Sequence, residues 1–114
     1  HPKMVYYTTL LPKEMKGPHL HKRRTGYITC LTGKVVAILK YADVYEEIIL
    51  SSKEPKTIEV LPGVGLLTIN LSNSISSLLN ICAPAWHPEK PDNFQADFSD
   101  YDMNKWKKYL ENNQ

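Results

Sequence analysis

Apolar and polar residues alternate in short runs along most of this chain, broken by turn-forming residues at roughly ten-residue spacing. Met4 to Thr9 is a β-branched and aromatic run that predicts a first strand. Lys13 to Pro18 reads as a polar loop. His19 and His21 then fall in one extended segment, Tyr27 to Leu31 in a second, which stops at a Thr32-Gly33 turn. Lys34 to Lys40 places V-V-A-I-L between lysines, too uniformly apolar for a half-exposed strand, so both of its faces should be covered. Tyr41-Ala42-Asp43 is a short turn, Val44 to Leu50 a returning strand, and Ser51 to Lys56 a loop by composition. Thr57 to Val60 alternates again. Pro62-Gly63 with Gly65 asks for a tight turn before Leu66 to Leu71. Ser72-Asn73-Ser74 turns the chain into Ile75 to Cys82, the last long strand, after which Pro84, Pro88 and Pro91 break any regular ladder. No helical crossover interrupts the series, so the pattern predicts an all-β sandwich or barrel.

Only the tail changes period. Met103, Trp106 and Leu110 fall on one helical face, with Ser99 as a cap and Asp102 three residues on, which predicts a short C-terminal helix. Asp100 and Asp102 before it and Lys105, Lys107 and Lys108 within it suit the helix dipole.

A chain of 114 residues fits one domain spanning positions 1–114. A formal net charge of +2, with acids and bases well mixed, argues against a nucleic-acid partner and leaves room only for a small anion. No apolar run approaches the roughly 20 residues that span a bilayer, so no membrane partner is expected. The first residues lack the pattern of a signal peptide, which makes a cytoplasmic location the expectation. Cys30 and Cys82 lie in apolar strand-like segments, where reduced thiols serve as small hydrophobes, and two cysteines make no disulfide framework.

Candidate chemistry concentrates in Lys16 to Gly33. His19 and His21 are two residues apart, so on a strand both imidazoles project from one face into one pocket. A metal would need a third ligand, and no Asp or Glu occurs between Glu14 and Asp43, while the next histidine is His87. Acid–base chemistry needs only one imidazole of near-neutral pKa and a group to orient it, with Tyr7 as a candidate partner. Alternatively both histidines are hydrogen-bonded polar residues of a barrel. Lys22, Arg23 and Arg24 are either a solvated edge or a clamp for a diphosphate, since guanidinium groups grip phosphate oxygens with two donors. The Pro62-Gly63-Val64-Gly65 turn is no phosphate loop, because no helix follows it. Trp86 and His87 either stack on a base or sugar, or close one end of the barrel.

The order of several motifs resembles that of the cupin-fold sugar-nucleotide enzymes: the dTDP-4-dehydrorhamnose 3,5-epimerases (RmlC-like) and the smaller dTDP-sugar 3,4-ketoisomerases. K-G-P-H-L-H-K at Lys16 to Lys22 resembles the ketoisomerases' R-G-x-H-x-H-K. L-T-G-K-V at Leu31 to Val35 resembles the turn that follows it. Leu50-Ser51, L-P-G-V-G at Leu61 to Gly65, W-H-P-E at Trp86 to Glu89 and the acidic segment ending at Trp106 resemble epimerase segments in the same order.

This resemblance implies an RmlC-like cupin jelly roll or β-barrel with a short C-terminal helix; a homodimer is expected because such short barrels tend to bury an exposed sheet edge or face. It implies a nucleotide-linked 4-keto-6-deoxy sugar as ligand, with His19, His21 and Tyr7 as catalytic residues; the candidates for binding that substrate are Lys16, Lys22, Arg23, Arg24, Tyr27 and Trp86. In the implied mechanism His19 removes the proton next to the keto group, and neither a metal nor an organic cofactor is required. Departures from the pattern are Lys16 in place of arginine, Leu66 in place of a histidine, and a chain that ends before the epimerases' histidine-orienting aspartate. Two other readings stay open: a non-catalytic sugar- or sugar-nucleotide-binding domain and a metal-dependent cupin.

Overall fold

The computed structural model describes residues 3–84 and 91–110. Nine strands run in chain order as β1 (Met4–Leu10), β2 (Met15–His21), β3 (Thr25–Thr32), β4 (Lys34–Tyr41), β5 (Val44–Ser51), β6 (Thr57–Val60), β7 (Gly65–Asn70), β8 (Ser76–Ala83) and β9 (Asn93–Gln95). They form two antiparallel sheets, one in the order β1-β8-β3-β6 and the other in the order β5-β4-β7-β2-β9. Consecutive strands often lie in different sheets, so the chain shuttles between them as a jelly roll does.

The alternation read from the sequence becomes the wall of the interior. On β8, Ser76, Leu78, Asn80 and Cys82 are buried while Ser77, Leu79, Ile81 and Ala83 are not. Leu10, Ile28, Cys30, Ile58, Val60 and Leu78 from the first sheet meet Val35, Ala37, Leu39 and Leu50 from the second in one apolar cluster. Burying such a side chain contributes about 1.5–3 kcal/mol relative to leaving it in water. Cys30, in this cluster, and Cys82 are both free and buried.

β4 explains its own uniform hydrophobicity. Val35, Ala37 and Leu39 point between the sheets, and Val36 and Ile38 point the other way, into a second cluster with Leu67 and Ile69. That outer cluster is covered by Phe98, Tyr101, Met103, Trp106, Tyr109 and Leu110. The C-terminal segment is thus a strap across the outside of the second sheet. Tyr45 Oη donates to Asp100, Tyr101 Oη donates to Glu47, and Trp106 Nε1 donates to Tyr101 Oη at 2.7 Å.

Three expectations need correction. The segment Lys13 to Pro18 is not all loop: β2 begins at Met15, because Met15 and Lys16 pair with Ile69 and Thr68 on β7 before a bulge between Lys16 and His19. The β8 ladder ends at Ala83, before Pro84, but a further strand not expected from the sequence follows Pro91: β9 adds three residues to the free edge of β2 in the other sheet. The C-terminal helix is a six-residue 3₁₀ helix, Asn104–Tyr109, whose cap position is Met103 rather than Ser99. The short polar side chains upstream form local turns instead, Asp97 accepting from the Ser99 N–H and Asp102 from the Asn104 N–H.

Candidate active site

Between the two sheets lies a cavity of about 220 Å³. Tyr6 and Thr8 of β1, Ile28 of β3, and Leu78, Asn80 and Cys82 of β8 line one side. Lys16, His19, Leu20 and His21 of β2, with Leu66 and Thr68 of β7, line the other. The lining is mostly apolar with a few convergent polar groups, which is the usual make-up of a small-molecule site.

The bulge in β2 sets the position of the two histidines. Gly17 sits there at φ +97°, and a Cβ on it would lie 2.5 Å from the Leu66 carbonyl oxygen, so no larger residue fits without moving the strand. Beyond the bulge His19 pairs with Leu66 on one side and Gln95 on the other, and His21 pairs with Asn93. The Gly63 N–H donates to the His21 carbonyl at 2.6 Å, so the Leu61 to Gly65 turn ties down the end of β2. The two imidazoles share the cavity, with ring centroids 5.9 Å apart.

Burial holds both rings below the ordinary histidine pKa. For His21 the Arg24 charge and then His19 add to that effect, while Asp92 opposes it. For His19 the charge of Arg24 also lowers the value. Both are therefore neutral at pH 7, the form that can accept a proton or donate a hydrogen bond. His19 Nδ1 is buried with no hydrogen-bond partner.

Behind His21 lies a charge cluster absent from the sequence reading. Asp92, 3% exposed, accepts from three successive backbone N–H groups: Lys22 at 2.9 Å and Arg23 at 2.7 Å on Oδ1, and Arg24 at 3.0 Å on Oδ2. Its Oδ2 also accepts from Arg24 Nε at 3.2 Å. Arg24, 5% exposed, reaches on to His21 Nδ1 with its terminal nitrogen at 2.8 Å. Burial opposes ionisation of Asp92, but the hydrogen bonds from Arg24 and from the three backbone groups hold its carboxyl below the usual range.

The structure redistributes the candidate residues. His19, His21 and Lys16 come together at the cavity. Tyr7 does not: it is 68% exposed on the outer face of its sheet, and Tyr6 takes the inward position, because Leu10 is buried and inward positions on β1 recur every second residue. Burial pushes the Tyr6 phenol up to about 12, with the Cys82 thiol beside it, so it is a protonated donor. Arg24 is buried and committed to Asp92 and His21, so it does not present a clamp for a diphosphate. Arg23 bonds the Pro91 carbonyl at 3.1 Å and does not line the cavity. Lys22 stacks over the Phe94 ring, 4.3 Å from its centroid. Tyr27 borders the cavity but sends its hydroxyl to Glu59 at 3.2 Å. Trp86 and His87 lie outside the described residues.

Among the described residues no group of three or more His, Cys, Asp or Glu side chains gathers as a metal-binding cluster. No described helix is long and apolar enough to cross a membrane.

Two antiparallel sheets in jelly-roll order, enclosing a cavity with histidines on an inner strand, define an RmlC-like cupin. More narrowly, the chain belongs to the family described as FdtA: WxcM-like, C-terminal, whose sequence model matches residues 1–106. A search of curated protein sequences finds no match. Among solved structures it is similar to the capsular polysaccharide assembling protein CapF from Staphylococcus aureus, with a TM-score of 0.79 at 18% identity over 84% of this chain and 29% of that one. NovW, a 4-keto-6-deoxy sugar epimerase from Streptomyces spheroides, superposes with a TM-score of 0.72 at 13% identity over 83% of this chain and 51% of its own. The epimerase RmlC from Legionella pneumophila, in complex with dTDP-4-keto-L-rhamnose, gives a TM-score of 0.70 at 15% identity over 83% of this chain and 54% of its own. The chain thus spans less than a third of CapF and about half of each epimerase.

Proposed function

We propose that the cavity binds the sugar of a nucleotide-linked 4-keto-6-deoxy hexose and moves the proton on the carbon next to its keto group. The observation that carries this reading is the pair of neutral, half-buried imidazoles on one wall of a small, mainly apolar cavity. A proton α to a ketone is weakly acidic, so removing it needs a positioned base beside a donor for the enolate oxygen. His19 supplies the base. His21 and the Tyr6 phenol are the neutral donors. The proton then returns to the other face of the same carbon, or to the former carbonyl carbon with transfer of the hydroxyl proton, giving an epimer or an isomer. At about 220 Å³ the cavity is smaller than the roughly 300–1,000 Å³ of a complete ligand site, which suits a hexose ring with its nucleotide outside. Lys16, at the cavity wall, is the cation placed to meet the diphosphate.

Lys16 and Leu66, which depart from the family pattern, favour a second reading: a domain that binds the sugar nucleotide without turning it over. Both readings require binding. The test is thermal unfolding in the presence of dTDP-linked 4-keto-6-deoxyhexose, dTDP and the free sugar. A ligand present at 100 times its Kd adds about 2.7 kcal/mol to native-state stability, so Tm should rise with the sugar nucleotide and less with either half. No rise with any sugar nucleotide at millimolar concentration would overturn the proposal.

The reading includes a homodimer. Val5, Tyr7, Tyr27 and Leu31 are exposed apolar residues on the outer face of the β1-β8-β3-β6 sheet, and Val5 and Tyr27 flank Ile81 on one row of that face. A second copy of the chain would cover them. Sedimentation equilibrium is expected to give twice the chain mass, and a Tyr7→Lys variant to give the monomer.

A further inference from the structure

We propose that Arg24 and Asp92 are positioning residues that hold His21 in a single tautomer, neutral with its proton on Nε2, so that His21 is the cavity's hydrogen-bond donor and cannot be its base. For its chemistry this rests on the reading above.

The argument starts from what a guanidinium can do. It carries five N–H donors and no lone pair, and it does not deprotonate in proteins. At 2.8 Å, the Arg24 terminal nitrogen and His21 Nδ1 attract each other only if Nδ1 offers its lone pair. Nδ1 then has no hydrogen, and a neutral imidazole must carry it on Nε2.

Neither partner can turn away cheaply. Arg24 Nε is held by Asp92 Oδ2, and the other carboxylate oxygen is held by the Lys22 and Arg23 N–H groups. Asp92 is fixed in turn by the pairing of the next residue, Asn93, with His21 itself.

The insertion of Arg24 reverses the usual carboxylate–histidine relationship. A carboxylate bonded directly to Nδ1 would demand a proton there and stabilise the imidazolium. Here Asp92 Oδ2 lies 3.8 Å from His21 Nδ1, beyond hydrogen-bond range, and the guanidinium makes the contact instead. His21 thus cannot take a proton at Nε2, which already has one, nor at Nδ1 without meeting an N–H of Arg24. The charged and titratable groups that act on it are Arg24, Asp92 and His19. No such contact blocks His19, whose Nδ1 has no partner. Two histidines of identical chemistry thereby acquire separate tasks.

The experiment is long-range ¹H–¹⁵N correlation NMR on the ¹⁵N-labelled, ligand-free chain at pH 7. The expected result is one neutral His21 tautomer with hydrogen on Nε2. A ring with hydrogen on Nδ1, or an imidazolium, would overturn the proposal. A second variant guards against misfolding: Arg24→Met combined with Asp92→Asn removes both charges, so neither is left buried alone. In it the two His21 tautomers should mix and the titration midpoint should move up. An unmixed Nε2–H tautomer in that variant would remove Arg24 from its role. Because no substrate is present, failure of the functional reading would show instead as absence of a ligand-induced rise in Tm.

Discussion

Replacing Asp92 by alanine should be the most damaging single change at the site, although the residue is far in sequence from either histidine. The substitution strands three backbone N–H groups, of Lys22, Arg23 and Arg24, and leaves the Arg24 charge 5% exposed with no counter-ion. Removing one member of a buried ion pair typically costs about 3–5 kcal/mol, because the desolvation of the survivor is no longer offset. A domain of this size has only about 5–15 kcal/mol in total. With a urea m-value of about 1–1.5 kcal/mol/M, the midpoint should fall by about 2–5 M, or the variant should be unfolded without urea. Asp92→Asn keeps one acceptor oxygen and should lose less. In the Asp92→Asn background the further change Arg24→Met should cost less than it does alone, because the two side chains act as a unit. Urea unfolding followed by tryptophan fluorescence measures the native protein and all four variants. A loss below about 1 kcal/mol for Asp92→Ala, or strict additivity in the cycle, would refute the view that this carboxylate organises the Lys22 to Arg24 turn.

Further outcomes follow from the same geometry. Gly17→Ala should lower Tm and weaken sugar-nucleotide binding together, since the left-handed backbone and the close Leu66 carbonyl cost on the order of 1–3 kcal/mol unless β2 shifts; unchanged Tm and binding would contradict the role of the bulge. Stability should fall as pH drops below about 6.5, the unfolded histidine value, because His19 and His21 are depressed in the folded state and the unfolded chain binds more protons. A second loss should come below about pH 3.9, as the depressed Asp92 is finally protonated; unfolding curves flat from about pH 7 to 4 would contradict the histidine sign, and curves flat from about pH 4 to 2 the aspartate sign. Tyr6→Phe should weaken binding by up to about tenfold, the worth of one hydrogen bond, while Tyr7→Phe should leave it unchanged, as calorimetric titration will show.

Most of the fold was legible because strands announce themselves through alternation, and here each long apolar run became a strand within a residue or two of its expected ends. β4 was identifiable as covered on both faces from V-V-A-I-L alone, although nothing local indicated that a C-terminal strap supplied the second cover. β9 was invisible for a physical reason: Asn93, Phe94 and Gln95 are all exposed, and only their pairing with β2 makes them a strand. The tail's spacing of Met103, Trp106 and Leu110 correctly marked the face that packs on the second sheet, while nothing in that spacing distinguished a 3₁₀ from an α-helix.

At the site, the H-x-H spacing was sufficient to place both imidazoles on one wall. The choice between Tyr6 and Tyr7 could have been made by counting in twos back from Leu10. The fate of the basic run could not, because what turns Arg24 inward is a carboxylate 68 positions away. Lys22, Arg23 and Arg24 look alike in sequence. One lies over an aromatic ring, one reaches the Pro91 carbonyl at the surface and one lies in the interior, with Asp92 accepting from the backbone of all three.

The most direct test of the central claim is exchange of the α-proton of a dTDP-linked 4-keto-6-deoxyhexose with solvent deuterium, followed by NMR. The native protein is expected to catalyse exchange, and His19→Ala to slow it by a factor of about 10² to 10⁴, the usual cost of losing a positioned base. Exchange that persists unchanged in His19→Ala, or clear binding by the native protein with no exchange at all, would contradict the account.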